Sequence, residues 1–218
     1  MDLDTAYSVK TPEDSRKLYA QWAETYDETF IKANDYVYPR TIAQHFDASV
    51  PKENCDIIVD IGCGTGAVGG FLANLRPLCK IDGFDISPEM LTCARAVNKI
   101  DNSPVYRNLI EVDLTKNLPE QKPEQKYDAM VSAGTFTHGH LGASTLISLF
   151  DLVRPGGWFV IGINAQHYEL QCFSNAFADS VESGVITETK LQTVQIYGPS
   201  SPHFGDLGTI AVFARNII

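Results

Sequence analysis

Asp60-Ile61-Gly62-Cys63-Gly64-Thr65-Gly66 decides how this chain is read. It follows Ile57-Ile58-Val59, an apolar run rich in β-branched residues, and precedes Ala67, Val68, Phe71, Leu72 and Leu75, which are spaced as in a helix. Glycine between a strand and a helix has a mechanical job. It removes the Cβ that blocks close approach of the backbone to a ligand, and it tolerates φ > 0. The free N–H groups of the following helix point at that ligand. Gly69 and Gly70 each cost the helix about 1 kcal/mol relative to alanine, so the helix is expected to pack very closely on the strand or the ligand.

Outward from the loop the alternation continues. Lys80 to Phe84 reads as a second strand, and Ser87-Pro88-Glu89 caps a helix with Met90, Leu91, Ala94 and Val97 apolar. Val105 to Val112, Tyr127 to Ser132 and Trp158 to Ile163 read as strands three to five, and Leu146 to Val153 as a helix ending before the turn Arg154-Pro155-Gly156-Gly157. Strands that are apolar on both faces and alternate with helices predict a doubly wound, mostly parallel α/β sheet. Tyr168 to Val181 then reads as one helix. Thr187 to Tyr197 and Thr209 to Ala214 follow without a crossover helix, so they pair antiparallel or sit apart. Residues 1–50 are expected to form an N-terminal helical cap and residues 51–218 the core, as one compact unit. Thr11-Pro12-Glu13-Asp14 opens the cap's first helix, with an apolar stripe at Leu18, Trp22, Tyr26 and Phe30. Pro39 to Phe46 reads as a second helix, and Lys116 to Lys126 as a surface loop.

Composition narrows the partners. A chain of 218 residues with 44% hydrophobic and 20% charged residues can bury an ordinary core. The net charge of −10, with no basic run to offset it, argues against nucleic acid and against an anionic membrane surface. The five cysteines are odd in number, without CxxC spacing, and the acidic start Met1-Asp2-Leu3-Asp4 lacks an apolar signal. A cytoplasmic protein with free thiols is expected.

Asp85 ends the second strand about 20 residues after the loop, where an acid can hydrogen-bond a ribose hydroxyl pair. The loop also fits Gly62-x-Gly64-x-x-Ala67, a nicotinamide dinucleotide pattern. Against a dehydrogenase, the loop starts only at residue 60, which leaves little chain for a substrate domain.

Taken in order, the motifs resemble those of the class I, seven-stranded Rossmann-like methyltransferases that use S-adenosylmethionine (SAM) and release S-adenosylhomocysteine (SAH). The resemblance covers roughly residues 55–165. It implies a seven-stranded sheet with an antiparallel final strand. It also implies cofactor contacts along the loop at Gly62, Cys63, Gly64 and Gly66, with Asp60 orienting the loop and the amino group of the methionine moiety. Asp85 would take the ribose, Ile86 and Met90 the adenine faces, and Asp113, beside Leu114, the adenine amino group. Tyr127-Asp128-Ala129-Met130-Val131, running to Ser132, resembles the strand under the transferable methyl. Trp22-Ala23-Glu24-Thr25-Tyr26-Asp27 resembles a Trp-x-x-x-Tyr-Asp segment whose aromatic residues close over the cofactor. Residue by residue, plainer readings stay open. Asp113 also suits a turn, Cys63 a tolerated small residue, and Trp22 with Tyr26 the buried stripe of a helix.

Ser132-Ala133-Gly134-Thr135-Phe136-Thr137-His138-Gly139-His140 follows the fourth strand, where a methyl acceptor is expected. It resembles a Gly-Thr-Phe-Thr-x-Gly-His segment of a subgroup that includes methyltransferase-like proteins of the Williams–Beuren region type. His138 and His140 are candidate bases, or histidines with structural hydrogen bonds. A metal site lacks an evident third ligand. His203 is a further candidate without an assigned role. The expected activity is methyl transfer to a small organic molecule. The alternative is a catalytically inactive SAM-binding regulatory or partner protein.

Overall fold

The computed structural model describes residues 9, 11–53, 55–116 and 126–217. Most of the predicted 116–126 loop and the acidic N-terminal residues lie outside the described residues. The order of elements is α1 (Pro12–Trp22), a π-helical turn (Asp27–Lys32), α2 (Tyr38–Ser49), β1 (Ile57–Ile61), α3 (Ala67–Leu75), β2 (Lys80–Asp85), α4 (Pro88–Arg95) and β3 (Tyr106–Glu111). There follow β4 (Tyr127–Phe136), α5 (Ala143–Leu149), a 3-10 turn (Phe150–Leu152), β5 (Val153–Asn164), α6 (Ala165–Leu170), α7 (Phe173–Glu182), β6 (Lys190–Gln195) and β7 (Leu207–Ala214).

The strands form one sheet in the order β3-β2-β1-β4-β5-β7-β6. Strands β1 to β5 pair in parallel, and β7 runs antiparallel to both β5 and β6. Strand β1 explains why the sheet is covered twice. All five of its residues are buried. Ile58 joins one apolar layer with Ile81, Val131 and Val160, while Val59 and Ile61 join the other with Met130, Phe159 and Ile161. Alternate side chains of a strand point to opposite faces, so a continuous apolar run needs helices on both sides.

The first layer carries α2, through Tyr38, Ile42, Ala43 and Phe46, as well as α3. Helix α2 is therefore part of the sheet's covering. Buried Arg76 ties it to α3, donating to Asp47 and to the Val50 carbonyl at the end of α2. The second layer carries α5, α6 and α7.

A buried carboxylate links β2, β3 and β4. Asp82 accepts two bonds from Arg107 (2.9 and 2.6 Å), one from the Tyr127 hydroxyl (3.0 Å) and one from the Asn108 amide side chain (3.1 Å). Removing one partner of such a group leaves charge without compensation. Arg107→Met is expected to lower stability by roughly 1–3 kcal/mol, measured as a lower urea midpoint.

Several element boundaries differ from those predicted. The stretch 168–181 is two helices, because Cys172 adopts φ +52° and turns the axis between them. Arg154-Pro155-Gly156-Gly157 lies within β5 rather than before it, as a bulge. Tyr127 pairs with Val153, but Ala129 pairs with Trp158, and Gly156 (φ +74°) absorbs the extra residues. The cap helix starts as expected, with the Thr11 hydroxyl and the Asp14 carboxylate capping each other's backbone N–H groups. It stops at Trp22, and the aromatic stripe is completed by the π-helical turn.

Candidate functional site

Chain order reverses between β1 and β4, and a crevice opens at the carboxyl ends of the strands at such a point. A cavity of about 140 Å³ lies there. The end of β1 supplies Gly62, Cys63 and Gly64. The end of β2 supplies Asp85 and Ile86, α4 supplies Met90, and the end of β3 supplies Asp113 and Leu114. Tyr26 and Tyr19 close it from the cap, and His140 from the loop after β4.

The loop's glycines divide the labour. Gly62 (φ +65°) sits so close to Thr135, at the end of β4, that a Cβ would collide with the threonine side chain. Gly64 (φ +53°) has open space where a Cβ would stand, and its bare backbone borders the cavity. Gly66 opens α3 and packs towards Tyr106 and Val97 rather than lining the cavity. Gly69 explains the close packing expected of this helix, since a Cβ there would run into the Tyr106 ring. Gly70 is under no such constraint.

The carboxylates are differently held. Asp85 accepts from the Gly64 N–H (2.8 Å) and from the Ser87 N–H (2.9 Å), and burial raises its pKa. Asp113 makes the turn that its plainer reading foresaw, accepting from the Thr115 N–H (3.0 Å) and hydroxyl (2.6 Å), and it lines the cavity as well. Burial works against its charge, but the bonds from Thr115 and Lys116 prevail and hold its pKa below the ordinary value. Asp60 is fully buried beneath the loop and does not line the cavity. Its Oδ2 accepts from the Tyr106 hydroxyl (2.7 Å), and its Oδ1 has no hydrogen-bond partner. Burial pushes its pKa to about 7, against the Tyr106 bond and with a contribution from Asp85.

Other predicted residues stand back. Trp22 is buried under Tyr26 (ring centroids 5.1 Å), its indole N–H donates to Thr29 (2.8 Å), and it lines no part of the cavity. Its bulk supports the Tyr26 ring instead. Ser132 spends its hydroxyl on the Ile61 carbonyl (2.8 Å), fixing β4 to β1. The Cys63 thiol lines the cavity, and burial pushes its pKa well up, as expected of a packing residue rather than a nucleophile.

The two loop histidines part ways. His138 lines neither this cavity nor its neighbour, and its ring lies 5.7 Å from that of His167. His140 lines both, packs against Tyr19 (5.7 Å), and places Nδ1 2.8 Å from the His138 carbonyl. Among the described residues no group of three or more His, Cys, Asp or Glu is placed to hold a metal ion.

Sequence reasoning missed the partners that non-local contact supplies. Asp27 accepts from the Thr65 hydroxyl (2.7 Å), anchoring the cap to the glycine loop. A second cavity of about 50 Å³ adjoins the first through Tyr19, Tyr26, Tyr36, Gly134 and His140. Tyr36 and Tyr197 (ring centroids 5.5 Å) also line it, brought together by pairing of the segment after the cap with the end of β6. Tyr36 lies so near Gly134 that a Cβ there would meet its hydroxyl at 2.5 Å.

Sheet order, glycine loop and acids at successive strand ends give the chain a Rossmann-like fold of the kind seen in class I methyltransferases. Residues 59–159 match the family described as "Methyltransferase domain". Over 116 residues the chain is 35% identical to malonyl-[acyl-carrier protein] O-methyltransferase 1 of Ilyobacter polytropus, covering 52% of this chain and 41% of that protein. Over 106 residues it is 30% identical to trans-aconitate 2-methyltransferase of Mycobacterium tuberculosis, covering 49% and 36%. The chain thus spans less than half the length of these two curated relatives. Its fold is similar to that of an S-adenosylmethionine-dependent methyltransferase from Clostridium acetobutylicum, with a TM-score of 0.59, 15% identity, and coverage of 92% of this chain and 100% of that one. Among the described residues no helix is long and apolar enough to cross a membrane.

Proposed function

We propose that this chain transfers a methyl group from SAM to a small organic molecule. One observation carries the reading. The open backbone at Gly64, the Asp85 carboxylate that bonds to it, and Asp113 border one cavity, and a smaller aromatic cavity adjoins it. The adenosyl group fits the strand-end acids, with Asp85 for the ribose, Ile86 and Met90 for the adenine faces, and Asp113 for the exocyclic amine. Asp60, beneath the loop with one oxygen unpartnered, holds negative charge behind the backbone that would carry the methionine moiety.

When bound, SAM supplies an already electrophilic methyl. The chain's task is to orient the acceptor and exclude water, and orientation alone is worth roughly 7–11 kcal/mol of a barrier. Tyr26 and Tyr19 close the cap side of the cavity, and the bond between Asp27 and Thr65 holds that cap on the loop.

A melting experiment with SAM, SAH and NAD tests this reading. Ligand at about 100 Kd adds about 2.7 kcal/mol, or roughly 5–10 °C for a domain of this size. The expected result is a rise with SAM and SAH and none with NAD. A rise with NAD alone defeats the proposal.

A further inference from the structure

The smaller cavity has an unusual lining. Its walls are Tyr19, Tyr26, Phe30, Tyr36, Tyr38 and Tyr197, and its polar side chains are those five tyrosines with Thr137, His140 and Asn164. Among the described residues neither cavity is lined by lysine or arginine. A carboxylate bound there would lose its hydration with no cation to replace it, only neutral donors.

His140 adds a direction. A carbonyl oxygen only accepts, so Nδ1, facing the His138 carbonyl at 2.8 Å, carries the ring proton. Nε2 is then a bare lone pair. It is sealed from solvent and has no hydrogen-bond partner, so an acceptor in the cavity meets it only once the side chains packed around it give way. Burial depresses the pKa of the ring and keeps it neutral, and the neighbouring His138 and His167 add to that depression. A bare lone pair attracts an N–H or O–H group and repels a carboxylate oxygen.

We propose, building on the methyltransferase reading above, that the smaller cavity takes an uncharged aromatic acceptor bearing an O–H or N–H group, a phenol or an arylamine, whose proton passes to Nε2 of His140. The acceptor's lone pair forms the new bond to the methyl carbon. The carbon–sulfur bond breaks with its electron pair going to sulfur, and the acceptor proton ends on Nε2. One positive charge thus moves from sulfonium to imidazolium beside the cavity's tyrosine rings, whose quadrupoles favour a cation. The two curated relatives are named for carboxylate-bearing acceptors, malonyl-[acyl-carrier protein] and trans-aconitate. This chain is inferred to differ from them in acceptor class.

The test uses the whole chain saturated with SAH and three probes of one shape: 4-ethylphenol, 4-ethylaniline and 4-ethylbenzoate. Calorimetry is expected to show the phenol or the aniline binding at least tenfold more tightly than the benzoate, and whichever wins fixes the acceptor atom. Benzoate binding as well as the better neutral probe, or no binding by either neutral probe, overturns the inference. His140→Gln is expected to keep SAH affinity within about threefold and to lose about 10²–10⁴ in methyl transfer to the preferred probe. The wild-type rate should rise with pH through the depressed His140 pKa, below about 6.5, and then level off. The variant should lack that limb. The other titratable groups around His140 are Tyr19, His138 and His167, with Tyr26, Tyr36, Tyr38 and Tyr197 in the smaller cavity and Cys63, Asp85 and Asp113 in the larger. An unchanged rate and limb overturn the role of His140. Thr137→Lys supplies the missing cation and is expected to raise benzoate affinity at least tenfold. No gain there counts against the charge argument. The SAH-induced rise in melting temperature is read first on the same sample. Its absence defeats the methyltransferase reading, whereas probe preference in the SAH-free protein still decides the acceptor inference.

Discussion

Asp60→Asn is expected to make the free protein more stable at pH 8 and to weaken its hold on SAM. The carboxyl is fully buried, its pKa stands at about 7, and one oxygen has no partner. In the unfolded chain it titrates near 4. Between those values the folded state binds more protons than the unfolded state, so stability falls as pH rises from about 4 to about 7 and stays reduced above. A gap of about three units corresponds to at most about 4 kcal/mol. Asparagine keeps the shape and an acceptor for the Tyr106 hydroxyl without the charge, so most of that cost is relieved. The buried charge lies beneath the loop proposed to hold the methionine end of SAM, and its loss should lower SAM affinity by about tenfold to a few hundredfold. Melting curves at pH 5 and pH 8 separate the two effects, because the variant's gain should be small at pH 5 and large at pH 8. A variant that is less stable at pH 8 and binds SAM as before contradicts this account of the residue.

Asp85→Ala is expected to remove measurable SAM binding while leaving a folded protein. A carboxylate bonding two ribose hydroxyls contributes roughly 1.5–3 kcal/mol per charge-assisted bond, about 10²–10⁴ in affinity altogether. The free fold loses less. The same carboxylate now holds the Gly64 and Ser87 N–H groups, but at the cost of a buried charge whose pKa is raised. Isothermal titration with SAH reads the loss, and a wild-type dissociation constant in the variant removes Asp85 from the site.

The parallel sheet was legible because its strands are short apolar runs and its helices start at recognisable caps such as Thr11 and Ser87. The convergence of Asp85, Met90, Asp113 and Leu114 on one cavity was legible for a related reason. Residues at the carboxyl ends of adjacent parallel strands are neighbours whatever the sequence between them. What escaped local reading depends on contacts across the chain. Nothing near residue 22 says that Trp22 turns its ring under Tyr26, nor does anything near residue 66 say that the third glycine serves Tyr106 rather than a ligand. Cys172 carries no glycine-like mark, yet it adopts the left-handed conformation that splits one predicted helix into two. Arg154 to Gly157 has the composition of a turn and is spent on a bulge, because the β4 partner keeps pairing on either side of it.

The pairing of residue 36 with residue 197 places chain segments 161 positions apart on one wall. The Gly62–Leu114 stretch borders the larger cavity and not the smaller, which draws on the start, middle and end of the chain. Phe30, Tyr38, Thr137, Asn164, Ile196 and Tyr197 border the smaller cavity alone, so changes at these positions can reshape it without touching a wall of the larger.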